Sequence, residues 1–185
     1  MMTELSLNVL DVAQNSVKAR ASLIEITVES DFDKDLMRIV IADNGCGMDE
    51  QQLNAVCDPF YTTRTTRKVG LGVSFFKLAA ESAGGEFSIT SEKGVGTTVT
   101  ATFQISNIDR MPLGDMTGTM HALITLNTDI DFVYNYRVDD RSFTLDTREL
   151  REILEGVAFD VPEVSSYIKE YLSQNKSEAD GGRIL

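Results

Sequence analysis

The chain has 185 residues, with 29 acidic against 17 basic side chains and a formal net charge of -12, a balance that excludes a protein coating DNA or RNA with a basic face. Hydrophobic residues make up 42% and charged residues 25%, the mix of an ordinary soluble globular domain. No run approaches the roughly 18 apolar residues of a membrane span, so no membrane partner is expected. The N-terminus has no basic segment ahead of an apolar block, and no signal peptide is expected.

Residues 4–20 predict a helix. Leu5, Leu7, Val9, Leu10, Val12, Ala13 and Val17 make it apolar on most sides, and Asn8, Asp11, Asn15 and Lys18 recur as one polar stripe. Taken alone, such a stripe reads first as a solvent face. Ile24, Ile26 and Val28 alternate as a half-buried strand, residues 31–35 form a charged turn, and residues 36–42 give a second strand, so a hairpin is expected. The glycine-rich turn Asp43-Asn44-Gly45-Cys46-Gly47 follows, then a short helix over 49–56. Residues 59–69 lack periodicity and carry Arg64, Arg67 and Lys68, the pattern of a loop. A helix over 73–83 opens at Gly70-Leu71-Gly72 and closes at Gly84-Gly85, and two alternating strands, 86–91 and 97–105, flank Lys93-Gly94-Val95-Gly96. The order of these elements predicts an α+β two-layer sandwich, with helices on one face of a mixed sheet.

Beyond residue 106 the expectations are a linker over 107–119, strands over 123–126 and 132–138, a helix from Asp146 to Leu154, and a last helix opened by Pro162. That helix would turn Val164, Tyr167, Ile168, Tyr171 and Leu172 inward, and residues 173–185, which are polar, would fray. Cys46 and Cys57 are the only cysteines and His121 the only histidine, too few for a zinc site of cysteine and histidine within one chain. So sparse a cysteine content fits a reducing, cytoplasmic compartment.

Four of these segments, in this order, resemble the GHKL superfamily of ATP-binding domains, whose members include gyrase-type topoisomerases, heat-shock chaperones, histidine kinases and mismatch-repair ATPases. Residues 10–19, LDVAQNSVKA, resemble the N box, and Asp43-Asn44-Gly45-Cys46-Gly47-Met48 resembles the G1 box. Asp58-Pro59-Phe60-Tyr61-Thr62-Thr63-Arg64 resembles the F box, leading to a G2-like Gly70-Leu71-Gly72-Val73, and Gly94-Val95-Gly96-Thr97-Thr98 resembles the closing motif. The resemblance is to the histidine-kinase-like branch and covers residues 4–105. It implies the Bergerat ATP-binding fold, with an ATP domain over 1–105 and a strand-and-helix extension over 106–185.

The resemblance also implies roles. ATP and Mg²⁺ are the expected cofactors, with Asn15 as the metal ligand and Lys18 on phosphate. Asp43 would accept from the adenine amino group, helped by Thr97, with Gly45, Gly47 and Met48 against the base. Phe60, Arg64, Lys68, Gly70, Leu71, Gly72 and Val73 complete the expected nucleotide site, the basic residues on a lid that closes over the γ-phosphate. Asp11 stands where ATPases of the superfamily carry Glu and many histidine kinases Asn. As the expected catalytic residue it is either a general base or a group ordering water around Mg²⁺.

Lysine at position 18 points to the kinases, yet the sequence reads as stand-alone, without the dimerisation helix that carries a phosphoacceptor histidine. Ala122, and not an acidic residue, follows His121, so phosphorylation there is not expected. Two functions remain open. One is a kinase passing the γ-phosphate to a protein partner in trans; the other is an ATP-dependent switch or slow ATPase that regulates a partner without phosphorylating it.

Overall fold

A computed structural model describes residues 3–57, 72–183 and 185. Among these the chain runs α1 (Leu5–Lys18), β1 (Leu23–Asp31), β2 (Leu36–Asp43), α2 (Glu50–Cys57), α3 (Gly72–Ser82), β3 (Phe87–Glu92), β4 (Gly96–Gln104), α4 (Met116–Leu126), β5 (Asp131–Val138), β6 (Arg141–Asp146), α5 (Thr147–Ile153) and α6 (Pro162–Asp180). Six strands form one mixed sheet in the order β3-β4-β2-β1-β5-β6, in which β5 lies parallel to β1 and every other neighbouring pair is antiparallel. This is the α+β architecture that the element order predicts.

Alternation fixes which face each strand buries. Ile24, Ile26 and Val28 of β1 stand in register with Ile41 and Ile39 of β2 and with Phe132, Tyr134 and Tyr136 of β5, and all are buried. Val99, Ala101 and Phe103 of β4 extend the same face. Leu5, Val9, Val12 and Ala13 of α1, Val73, Phe76 and Ala80 of α3, Met116, Met120, Leu123 and Ile124 of α4, and Val164, Ile168 and Leu172 of α6 join these residues in one core. The alternate positions on the strands, among them Thr27, Glu29, Arg38, Asn135 and Thr144, are polar and partly or fully exposed.

Three expectations beyond residue 106 are overturned. Residues 123–126 are not a strand: with 116–122, which include the end of the expected linker, they form α4, whose Met116, Met120, Leu123 and Ile124 are buried while the helix packs against α1 and α6. His121 therefore sits within a helix, where its Nε2 meets Ser165 Oγ at 2.8 Å and ties α4 to α6. The expected pairing of 132–138 with 123–126 is therefore absent, and β5 pairs instead with β1 and with β6, a strand the sequence reading lacks. Residues 173–180 do not fray; they continue α6, held by buried Leu172, Ala179 and Asp180.

Candidate functional site

The apolar inner face of the sheet ends in a polar row. Asp43, the last residue of β2, lies opposite Thr97 of β4, and Thr97 lies opposite Ser91 of β3. Residues directly opposite one another point to the same side, so these three project toward the helices beside an apolar row of Ile41, Val99 and Ile89. A cavity of about 330 Å³ opens over both rows. Val12, Asn15, Ser16, Lys18 and Ala19 of α1 form one wall, Cys46, Gly47 and Met48 of the turn after β2 a second, and Gln52 and Val56 of α2 with Val73 of α3 the rest.

The Asp43 carboxylate is held from two sides. Ser16 Oγ donates to Oδ2 at 2.6 Å and the Gly45 amide donates to Oδ1 at 2.8 Å. Each oxygen keeps a lone pair, so a positioned acceptor remains at the base of the cavity. Ser91 is the hub of the neighbouring network. Its Oγ accepts from the Met48 amide at 2.8 Å, reaches the Gly96 carbonyl at 3.0 Å, and lies 2.8 Å from Thr97 Oγ1. Asn44 points away from the cavity: its Oδ1 accepts from the amides of Ser22 and Leu23, both at 2.9 Å, and anchors the turn to the start of β1.

Gly47 has φ +62, and a Cβ there would lie 1.9 Å from the Glu92 carbonyl oxygen. Both facts demand glycine, and both bring the turn down against the β3–β4 hairpin, where Met48 meets Ser91.

Asn15, Lys18, Asp43, Gly47, Met48, Val73 and Thr97, all expected from the sequence, line this one cavity. Gly45 does not line it but supplies the amide that fixes Asp43. Asp11 also stands outside the lining. A Cβ on Gly72 would lie 2.8 Å from Asp11 Cβ, so Asp11 packs against the first turn of α3. Four residues separate it from Asn15, about 6 Å along the helix axis. Asn8, the first member of the polar stripe, is fully buried, with Nδ2 reaching the Glu4 carbonyl, and belongs to the interior rather than to the site. Phe60, Arg64, Lys68, Gly70 and Leu71 lie outside the described residues.

Ser16, Gln52 and Ser91 are polar residues that sequence reasoning missed. Ser16 follows Asn15 within the N-box-like segment, and its position is a signal only once α1 is known to lie over the end of β2.

The family model for the histidine kinase-, DNA gyrase B- and HSP90-like ATPases matches residues 2–107, more than half of the chain. Sporulation kinase E of Bacillus subtilis is 38% identical over 74 residues, covering 40% of this chain and 10% of that protein. Histidine protein kinase DivJ of Caulobacter vibrioides is 32% identical over 95 residues, covering 49% and 16%. Signal transduction histidine-protein kinase AtoS of Escherichia coli is 30% identical over 107 residues, covering 57% and 17%. The chain thus spans less than a fifth of each of these relatives. Among solved structures, the N-terminal domain of a DNA repair protein superposes with a TM-score of 0.53 at 17% identity, covering 78% of this chain and 53% of that one, a likeness of fold.

Proposed function

The chain belongs to the family of histidine kinase-, DNA gyrase B- and HSP90-like ATPases, and from that premise we propose that the cavity between α1 and the β2 end of the sheet binds ATP with Mg²⁺ and that the protein passes the γ-phosphate to a protein partner in trans. The observation that carries the binding half is the Asp43 carboxylate, buttressed by Ser16 and the Gly45 amide at the end of an otherwise apolar face. An acceptor fixed in this way suits the exocyclic amine of adenine, and Ile41, Ile89 and Val99 offer the ring an apolar floor. Thr97, oriented by Ser91, adds a hydroxyl beside it.

The donor set fits the metal as well. Among the described residues no three His, Cys, Asp or Glu side chains gather into a cage, and Mg²⁺ bound with a nucleotide takes most of its oxygens from phosphates and water. Asn15 offers one neutral carbonyl oxygen at the cavity wall, and Lys18, three residues on and exposed, offers a point charge for phosphate. Bound Mg²⁺-ATP supplies the transferable phosphoryl group; the residues of the chain bind, orient and balance its charge. Phosphoryl transfer asks a protein mainly for positioning and charge stabilisation. In this reading Asp11 is the base that accepts the proton of the attacking hydroxyl, reached from its seat against α3.

The test is the fate of label from γ-labelled ATP, incubated with the full chain, Mg²⁺ and extract of the source cells. Label on a partner protein supports the kinase. Label released only as inorganic phosphate, or retained in bound ATP, selects the regulatory ATPase or switch. A chain that binds no adenine nucleotide overturns the reading altogether.

A further inference from the structure

A second and larger cavity, of about 700 Å³, lies at the opposite end of α1, within the range of about 300–1,000 Å³ for small-molecule sites. One wall is a face of α6, with Lys169, Ser173, Lys176, Ser177 and Asp180 at helical spacing. The facing wall is Glu4 at the α1 N-cap together with Asp115 at the α4 N-cap, and Pro112, Leu113 and Leu185 supply apolar surface between them.

The α6 side carries Lys169 and Lys176, with Arg183 beside them, against the single carboxylate of Asp180. Lys176 is held in place by Asp180, which is 1% exposed: Asp180 Oδ2 accepts from Lys176 Nζ at 2.6 Å and from the Tyr136 hydroxyl at 3.1 Å, and Oδ1 accepts from the Gly182 amide at 2.8 Å. The ammonium of Lys176 retains further donors. On the other side Glu4 Oε1 accepts from Ser6 Oγ at 2.8 Å, and Asp115 Oδ1 caps α4 through the Gly118 amide at 2.8 Å. Among the described residues no ion pair joins Glu4 or Asp115 to the basic side chains across the cavity. A net positive side and an acidic side are therefore held apart over a partly apolar floor.

We propose that this cavity binds a small zwitterion, an α-amino acid or a short peptide with free termini. The ammonium end lies toward Glu4 and Asp115, the carboxylate end toward Lys169 and Lys176, and the apolar part on Leu113 and Leu185. The proposal stands apart from the nucleotide reading, since it uses none of the residues of that site.

The experiment is calorimetric titration and thermal melting of the full chain with the proteinogenic L-α-amino acids and with di- and tripeptides, each beside its N-acetyl and C-amide counterpart. Saturable binding by one or more free zwitterions is expected, with the blocked counterparts at least tenfold weaker; whether single amino acids or peptides bind names the source. The double variant Asp115→Asn, Lys169→Gln should weaken binding at least tenfold. Asparagine caps a helix as well as aspartate does, and Lys169 is exposed, so the fold is retained, which unchanged titration by an adenine nucleotide analogue checks. Failure of every free zwitterion to bind, equal binding of the blocked forms, or indifference to the double variant in a folded protein overturns the proposal.

Discussion

A carboxylate at the end of an apolar sheet row is a cost unless its oxygens are satisfied, and at Asp43 they are satisfied in a way that still leaves it able to act. If Asp43 is replaced by Asn, the Ser16 hydroxyl can rotate to accept from the new amide, so the fold should change little. The outward acceptor, however, loses its charge and in one orientation becomes a donor. Losing one charge-assisted hydrogen bond costs about 1.5–3 kcal/mol, or about ten- to a hundredfold in affinity. Titration with an adenine nucleotide analogue, beside a thermal melt, checks this; an unchanged affinity would remove Asp43 from the site. Asp11 separates the functions. As a base it touches the nucleophile and not the nucleotide, so Asp11→Asn should leave ATP affinity within a few-fold and lower label transfer by about 10²–10⁴. If the rate does not move, Asp11 orders water, which its place against Gly72, outside the cavity lining, would then explain.

The helix α1 is where sequence and structure agree most closely, and also where the sequence is most easily over-read. Its stripe is real for Asn15 and Lys18, which line the cavity, whereas Asn8 turns into the interior with no exposed surface. Asn15→Ala should abolish the Mg²⁺ dependence of nucleotide binding and leave Mg²⁺-free binding nearly intact, measured by titration with and without chelator; a variant that binds Mg²⁺-nucleotide like the parent would make the stripe a solvent face. The elements of the first half of the chain were legible because each combines a clear period with glycine punctuation. Those of the second half were not. In α4, Ala122 to Leu126 is a short, mostly apolar run in which Thr125 is the one polar side chain, too short for its period to show, and only Leu123 and Ile124 of it are buried. Strand β6 is an edge strand that buries only one residue fully, Leu145, so alternation is faint. The polar end of α6 stays helical through contacts distant in sequence, Asp180 with Tyr136 above all, and no local pattern encodes them. Ser16 and Ser91 escaped for the same reason: their roles are relations between strands and a helix, set by register.

At the scale of the whole molecule, one core runs from α3 to α6 across the sheet, and its aromatic end is distinctive. Tyr134, Tyr136 and Phe143 cluster with ring centroids 5.7–6.1 Å apart. Burial, reinforced by the neighbouring Tyr136 and Asp180, pushes the Tyr134 phenol well above its ordinary 10.0, and burial with Asp180 beside it pushes Tyr136 up as well. Both shifts favour the protonated phenol in the folded chain. Their contribution to stability is thus complete below about pH 10, where the unfolded chain also keeps both protons, and is lost as pH rises above that value, because only the unfolded chain then ionises. Each phenol should withdraw about 1 kcal/mol of stability between pH 10 and 11, where the unfolded phenol passes from half to nearly full ionisation, which urea unfolding at pH 10, 10.5 and 11 measures. The two residues differ in what their hydroxyls do. Tyr136 donates to Asp180 at 3.1 Å, whereas the buried Tyr134 hydroxyl has no hydrogen-bond partner among the described residues. Tyr134→Phe should therefore be neutral or stabilising at pH 7, since it removes a polar group buried unpaired. The same variant should also remove that phenol's own contribution and make the slope above pH 10 shallower. Tyr136→Phe should lower that slope equally but destabilise at pH 7 by about 1–3 kcal/mol, because the Asp180 carboxylate loses a donor while it remains buried. If the Tyr134 and Tyr136 variants behave alike at neutral pH, the distinction between a working and an idle hydroxyl fails.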